Sequence, residues 1–204
     1  MIATDKKRNW DAFVLLLVDV QVDFWNEKTA VINPNFAQNI TQLLHFCRSE
    51  GLEVVHLRAG FQPDKSDWMT RYKLGNWTPC VVGTAGVDPL PCAVEQPNEQ
   101  MFIKQTFDGF HNPQLDAYLQ VQGKQVVLVA GLLTSVCVLL TAASAAQRGY
   151  LTAVIEDCSA DRSAMHSHVL DNYHFIFNTI HSAELTHHYD SWQAKLRQLG
   201  EITP

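Results

Sequence analysis

The sequence lacks the features of several protein classes. Its five cysteines include no Cys-x-x-Cys pair and are odd in number, so we interpret them as reduced thiols and not as a disulfide framework. A membrane span needs about 18–20 mostly apolar residues. The longest uncharged segment, 125–147, is interrupted by Gly131 and by serines and threonines. The apolar run Phe13–Val18 is too short for a signal peptide, so no membrane partner is expected.

Charge is also scarce, at 18% of residues. The net charge is −6, the isoelectric point is about 5.8, and no basic stripe is present. Nucleic acid is therefore not an expected partner. No Gly-x-Gly-x-x-Gly motif follows the first predicted strand, which argues against a nucleotide-binding Rossmann module.

The chain does contain enough apolar material for a sizeable core. Hydrophobic residues make up 47% of its 204 residues, which predicts a single domain over residues 1–204. Apolar runs alternate with helical periodicities, and this order predicts about six βα units with a parallel sheet covered by helices on both faces. The predicted strands are Phe13–Val18, Leu52–Leu57, Met101–Lys104, Gln125–Ala130, Leu151–Ile155 and Phe175–Ile180. The predicted helices are Asn35–Glu50, Asn112–Gln122, Ser135–Arg148, Ser163–Tyr173 and Ser182–Leu199.

Three reactive residues directly follow or end predicted strands, where ligands bind in parallel sheets. Asp19 follows the first strand, Lys104 ends the third, and Cys137 opens the helix after the fourth. Taken singly, Asp19 could cap a turn, Lys104 could be solvated, and Cys137 could be packed in the core. Together on one rim they fit nucleophilic catalysis, because a helix start and a lysine lower a thiol pKa and a carboxylate can accept its proton.

Four segments, taken in order, resemble the isochorismatase-like hydrolases. The matching residues are Asp19, Gln21 and Phe24 in LLLVDVQVDF; Lys104, Phe110 and Leu115 in IKQTFDGFHNPQL; Gly131, Thr134 and Cys137 in AGLLTSVC; and Asp157 in AVIEDCSADRS. The resemblance covers essentially the whole chain. It implies a three-layer α/β, Rossmann-like fold with a six-stranded parallel sheet flanked by helices, and a homo-oligomer, either dimer or tetramer.

The same resemblance implies an Asp-Lys-Cys triad. Cys137 is the expected nucleophile, Asp19 the general base and later the acid, and Lys104 the group that lowers the thiol pKa. A cis peptide bond is expected between Leu132 and Leu133, with the N–H groups of Leu133 and Cys137 forming an oxyanion hole.

The sequence departs from the metal-binding branch of this family. That branch has an Asp-x-His segment and further histidines after the second strand, whereas here His56 lies within the strand and the next histidine is His111. We therefore expect no metal and no cofactor. The pairs His166/His168 and His187/His188 are poorly spaced to share an ion. Ordinary surface or core histidines are the expected interpretation.

The family's true isochorismatases lack the nucleophilic cysteine, so Cys137 favours hydrolysis of a C–N bond in a small amide or ureido molecule. The expected enzyme is a cytoplasmic cysteine hydrolase that acts through a thioester (acyl-enzyme). The alternatives are a catalytically silent protein that keeps the fold as a binding or scaffold module, and hydrolysis of a non-amide bond such as an ester.

The substrate pocket is less defined. The expected aromatic wall consists of Phe24, Trp25, Tyr72, Trp77, Phe107 and Phe110, although aromatics are also common in the core. Arg58 could bind a substrate carboxylate or form a structural ion pair. Thr134 completes the expected pocket. The irregular stretch from Gly60 to Gln100 is expected to be an active-site loop or small excursion.

Overall fold

Six parallel strands form one sheet in the computed structural model, which describes residues 8–202. They are β1 (Phe13–Val18), β2 (Glu53–Ala59), β3 (Gln100–Lys104), β4 (Val126–Leu132), β5 (Leu151–Ala160) and β6 (Asn178–Ile180). Their spatial order is β3-β2-β1-β4-β5-β6. The predicted α/β fold class with a six-stranded parallel sheet is confirmed. The ends of the predicted domain, residues 1–7 and 203–204, lie outside the described residues.

Helices pack on both faces of this sheet. They are α1 (Glu27–Ile32), α2 (Phe36–Glu50), α3 (Thr70–Gly75), α4 (Pro113–Val121), α5 (Leu139–Gln147), α6 (Met165–Asn172) and α7 (Leu185–Ile202). None of the helices within residues 8–202 is long and apolar enough to cross a bilayer.

The alternation of side chains along β1 divides the core in two. Phe13, Leu15 and Leu17 face a cluster that includes the apolar residues of α2 and α7. The residues between and after them, Val14, Leu16 and Val18, face a cluster that includes residues of α4, α5 and α6. All six β1 side chains are buried, which explains why this strand is a continuous apolar run in the sequence.

Three predicted elements differ from the structure. β5 extends to Ala160, past the predicted end at Ile155, and its register with β4 shifts between Val129 and Gly131. The predicted helix from Ser135 begins instead as a π-helical turn over Thr134–Val138, which leads into α5. The last strand is also shorter than predicted, because the chain forms a turn before Asn178.

β1 and β4 are neighbours at the point where the strand order reverses, which is where open α/β sheets bind ligands. Gly131 allows these two strands to approach closely at their carboxyl ends. Its φ is +124°, and a Cβ atom there would lie 2.0 Å from the carbonyl oxygen of Val18. A side chain at this position would therefore force apart the strands that precede Asp19 and Cys137.

Residues 60–100 form a small excursion with its own buried cluster. Phe61 pairs with Val81 in an isolated bridge, and Phe61, Trp68 and Cys80 pack together. The backbone N–H of Cys80 donates a 2.6 Å hydrogen bond to Asp23 Oδ2. Cys80 thus has a structural role in this excursion, and the sequence alone did not predict that role.

Candidate active site

Asp19, Lys104 and Cys137 meet at the carboxyl edge of the sheet. Asp19 follows β1 with a φ of +50°, Lys104 is the last residue of β3, and Cys137 lies in the turn after β4. All three line the same cavity, and their exposed fractions are 0%, 2% and 5%. Parallel topology brings together residues that are far apart in the sequence.

A buried ion pair joins the first two residues. Lys104 Nζ donates a 2.6 Å hydrogen bond to Asp19 Oδ2 and a 2.9 Å bond to the carbonyl oxygen of Thr106. Burial lowers the pKa of Lys104, but the interactions with Asp19 and Cys137 together outweigh this effect, so the pKa lies above its ordinary value. Lys104 is therefore a cation at neutral pH, and it compensates the charge of the buried Asp19.

The other carboxylate oxygen of Asp19 is oriented by the backbone. Asp19 Oδ1 accepts a 2.9 Å hydrogen bond from the N–H of Ala59, which also donates to Gln21 Oε1 at 2.9 Å. The Gln21 amide in turn donates to the carbonyl oxygens of Ala59 and Val87, at 2.9 and 2.8 Å. The carboxylate is thus held in one orientation by β2 and the excursion.

The Cys137 thiol lies at the same cavity, and both charged groups act on its pKa. Burial raises its pKa, the negative charge of Asp19 raises it further, and Lys104 lowers it; the net direction is upward. Lys104 acts in the expected direction, but burial and the charge of Asp19 outweigh it, so the thiol pKa is raised where the sequence predicts that it is lowered. The resting site therefore contains a neutral thiol beside an ionised pair, and a thiolate has to be generated by proton transfer.

The turn that carries Cys137 is held by two side chains from beyond β5. Thr134 Oγ1 and His166 Nδ1 are 2.8 Å apart, and the N–H of Ser135 donates a 2.8 Å bond to Asp161 Oδ2. The expected placement of Thr134 in the pocket is wrong, because its buried hydroxyl faces His166 and not the cavity. Sequence reasoning missed the role of Asp161, which carries no motif of its own.

The backbone before this turn has an unusual geometry. The peptide bond between Leu132 and Leu133 is cis. Leu133 and Cys137 both border the cavity, whereas Leu132 is fully buried in the core. The two residues expected to supply oxyanion donors therefore lie at the same cavity.

The cavity has a volume of about 300 Å³ and mostly apolar walls. Among the expected aromatic residues, Phe24, Tyr72, Trp77 and Phe107 lie on its walls. Phe61 and Met69 from the excursion complete them. A volume at the low end of about 300–1,000 Å³ fits a small molecule.

Three other expected pocket residues lie elsewhere. Trp25 stacks on Phe36, with ring centroids 4.9 Å apart, and does not line the cavity. Arg58 forms an ion pair with Glu95, which is the structural alternative considered for it. Phe110 is 3% exposed and packs in the core below the cavity. The sequence positions of these three side chains do not predict the residues that they contact.

Two arginines that sequence reasoning missed line the cavity instead. Arg71 lies in α3, and Arg162 follows the buried Asp161 after β5. Both are exposed side chains. Arg71 belongs to the irregular stretch, whose sequence has no periodicity from which the orientation of a side chain could be predicted.

No group of three histidine, cysteine or acidic residues is arranged to hold a metal ion within residues 8–202. His166 binds Thr134, as described above, and His187 and His188 contact each other on α7.

The comparisons with known proteins agree with this architecture. The sequence profile of the Isochorismatase domain matches residues 13–184. The chain belongs to the isochorismatase family. The match extends from β1 through β6, so it includes Asp19, Lys104 and Cys137.

This isochorismatase family hydrolase has relatives of moderate similarity. It is 29% identical over 148 residues to the isochorismatase family protein YddQ of Bacillus subtilis, covering 72% of this chain and 76% of the relative. It is 28% identical over 159 residues to maleamate amidohydrolase of Pseudomonas putida, covering 72% of each. A solved cysteine hydrolase from Pseudomonas syringae has a TM-score of 0.81 at 21% identity, over 91% of this chain and 95% of that chain. The structural likeness supports the fold.

Proposed function

We propose that this protein is a cysteine hydrolase that cleaves the C–N bond of a small amide or ureido substrate through a thioester intermediate. The observation that carries the proposal is the convergence of buried Cys137 and the ion pair of Asp19 and Lys104 on the lining of one mostly apolar cavity. A protonated thiol beside a fixed carboxylate is the starting arrangement for general-base activation of a nucleophile.

The first half of the reaction forms the thioester. Asp19 accepts the thiol proton, and the thiolate of Cys137 adds to the substrate carbonyl carbon. Lys104 stabilises the negative charge as it moves from the carboxylate to the sulfur. The resulting oxyanion accepts hydrogen bonds from the N–H groups of Leu133 and Cys137. The C–N bond then breaks as Asp19 returns the proton to the leaving nitrogen, which departs as ammonia or an amine.

The second half releases the acid. Asp19, again a carboxylate, takes a proton from water while the water oxygen adds to the thioester carbonyl. Collapse of this intermediate breaks the C–S bond, and the Cys137 sulfur recovers its proton from Asp19. Because the carboxylate serves as base and acid in alternation, its fixed orientation by Ala59 and Lys104 supports this role.

The test is an ammonia-release screen over small amides and ureido compounds. Wild-type protein should release ammonia, whereas Cys137→Ala and Asp19→Ala should lose turnover while circular dichroism and thermal unfolding show a retained fold. Cys92→Ala is the matched control, because this partly buried thiol does not line the cavity and its loss should leave turnover unchanged. Activity retained in Cys137→Ala or Asp19→Ala would refute the mechanism. Absence of turnover on all these compounds, and on small esters assayed by acid release, would favour a catalytically silent protein.

We further propose a cytoplasmic setting and a homo-oligomeric state, dimer or tetramer. All five cysteines are unpaired, which suits a reducing compartment. Analytical ultracentrifugation would test the oligomeric state, and a monomer at micromolar concentration would contradict it.

A further inference from the structure

The cavity contains two positive charges for which the proposed reaction has no use. Arg71 and Arg162 both line it. Asp19 is the only acidic residue on the described lining, and Lys104 already pairs with it. The described lining therefore has an excess of two positive charges.

The guanidinium of Arg162 is held by a neutral group. Its Nη2 donates a 3.1 Å hydrogen bond to the backbone carbonyl of Asp23, which fixes the side chain beside the cavity without neutralising it. The neighbouring carboxylate of Asp161 accepts from backbone N–H groups, including that of Ser135. Within residues 8–202, no acidic side chain lies in ion-pair contact with Arg162.

Arg71 also has neutral partners. Its guanidinium carbon lies 6.0 Å from the ring centre of Tyr72 and 5.9 Å from that of Phe107, two residues of the aromatic wall. Across the described residues, no carboxylate forms an ion pair with it either. Ring contacts orient a guanidinium but leave its N–H groups available for a ligand.

From this arrangement we propose that the substrate carries a carboxylate, which Arg71 and Arg162 bind while the scissile amide or ureido carbon lies at Cys137. The inference rests on the proposed function and specifies its substrate class. A carboxylate matches the planar fork of a guanidinium, and such a charge-assisted, bidentate pair is stronger than a neutral hydrogen bond. The cavity volume of about 300 Å³ restricts the substrate to a small molecule with both groups within one cavity.

A binding experiment tests this inference without turnover. Calorimetric titration of the Cys137→Ala protein would compare two matched pairs that differ in charge at the distal end: succinamate with succinamide, and 4-carbamoylbenzoate with terephthalamide. Since charge-assisted hydrogen bonds are the stronger kind, at least one carboxylate should bind about tenfold or more tightly than its neutral partner. Equal affinities within both pairs, including no measurable binding of any compound, would overturn the inference.

Charge-removing variants assign the preference to the two arginines. In the Cys137→Ala protein, Arg71→Gln or Arg162→Gln should each reduce the carboxylate preference, and the double variant should abolish it while the neutral compounds keep their affinity. Lys73→Gln is the matched control, because Lys73 is a basic residue of the same helix, α3, that does not line the cavity. A preference that persists in the double variant would overturn the inference, since the carboxylate would then bind elsewhere, such as at Lys104.

Turnover separates this inference from the proposed function. If wild-type protein hydrolyses the charged and neutral amides with equal kcat/KM and binds them equally, the hydrolase proposal stands and the carboxylate site does not. If the arginine-dependent binding preference is present but no amide is hydrolysed, the carboxylate site stands and the hydrolase proposal fails.

Discussion

Replacing Asp19 with Asn should make Cys137 more reactive towards alkylation while abolishing hydrolysis. In the wild-type protein the negative charge of Asp19 helps to raise the thiol pKa. The substitution removes that charge but leaves the Lys104 cation, which lowers the thiol pKa. Since an ordinary thiol loses its proton at lower pH than an ordinary lysine, thiolate and ammonium become the favoured pair.

The size of this effect follows from Coulomb's law. Two charges about 4 Å apart, the separation of a sulfur hydrogen bond, interact by about 4 kcal/mol at an effective dielectric constant of about 20. That energy corresponds to about three pKa units, and partial neutralisation by Lys104 reduces it to about one or two. We therefore expect the alkylation profile of Cys137 to move by about one to two pH units towards lower pH. Turnover should fall by about 100-fold or more, because the proton acceptor is gone.

The assay is the rate of iodoacetamide labelling of the Cys137 peptide, measured by mass spectrometry from pH 6 to pH 10 alongside ammonia release. Asp64→Asn is the control, because this exposed carboxylate of the excursion bonds only near its own turn. An Asp19→Asn profile that is unchanged, or that moves to higher pH, would refute the assignment of Asp19 as the thiol's proton acceptor.

Three further substitutions test the surrounding structure. Gly131→Ala should destabilise the protein by about 3 kcal/mol or more and reduce turnover, because the new Cβ would lie 2.0 Å from the Val18 carbonyl oxygen. An unfolding free energy in urea within about 1 kcal/mol of the wild-type value would contradict this prediction. Lys104→Met should lower the free energy of unfolding by about 3–5 kcal/mol, because it leaves Asp19 buried and unpaired. Adding Asp19→Asn should restore much of that stability, and a double variant no more stable than Lys104→Met would contradict the ion-pair argument. Burial raises the pKa of Cys47 to about 12, so the neutral thiol contributes stability that is complete below about pH 8.5 and is lost as the pH rises above it. The unfolding free energy of Cys47→Ala should therefore decline less steeply at alkaline pH than that of the wild type, by about 1.4 kcal/mol per pH unit. Equal slopes for the two proteins would contradict this prediction.

The parts of the fold that depend on local pattern were predictable from the sequence. Strands buried on both faces are continuous apolar runs, and the runs at Phe13–Val18 and from Val126 reflect this directly. The π-helical turn at Thr134–Val138 was not predictable, because an apolar, alanine-rich segment has the same periodicity in an α-helix. What holds that turn is tertiary, since Asp161 and His166 reach it from beyond β5.

The site divides in the same way. Asp19, Lys104 and Cys137 were identifiable because parallel strands bring their carboxyl ends to one edge, whatever the intervening sequence. The walls were only partly identifiable. Phe107 faces the cavity and Phe110, three residues later, packs in the core, and hydrophobicity alone cannot distinguish the two environments.

The direction of the thiol pKa is the most informative difference from the sequence-based expectation. A helix start and a nearby cation lower a thiol pKa when the site is hydrated, but at 5% exposure the loss of water and the charge of Asp19 have the larger effect on Cys137. The consequence is a resting site whose ion pair is balanced and whose nucleophile is neutral. In the proposed mechanism, negative charge therefore appears on the sulfur only after Asp19 has accepted the thiol proton, and no thiolate stands in the resting site. A nucleophile of this kind is protected from adventitious alkylation and oxidation at neutral pH, because both reactions require the thiolate.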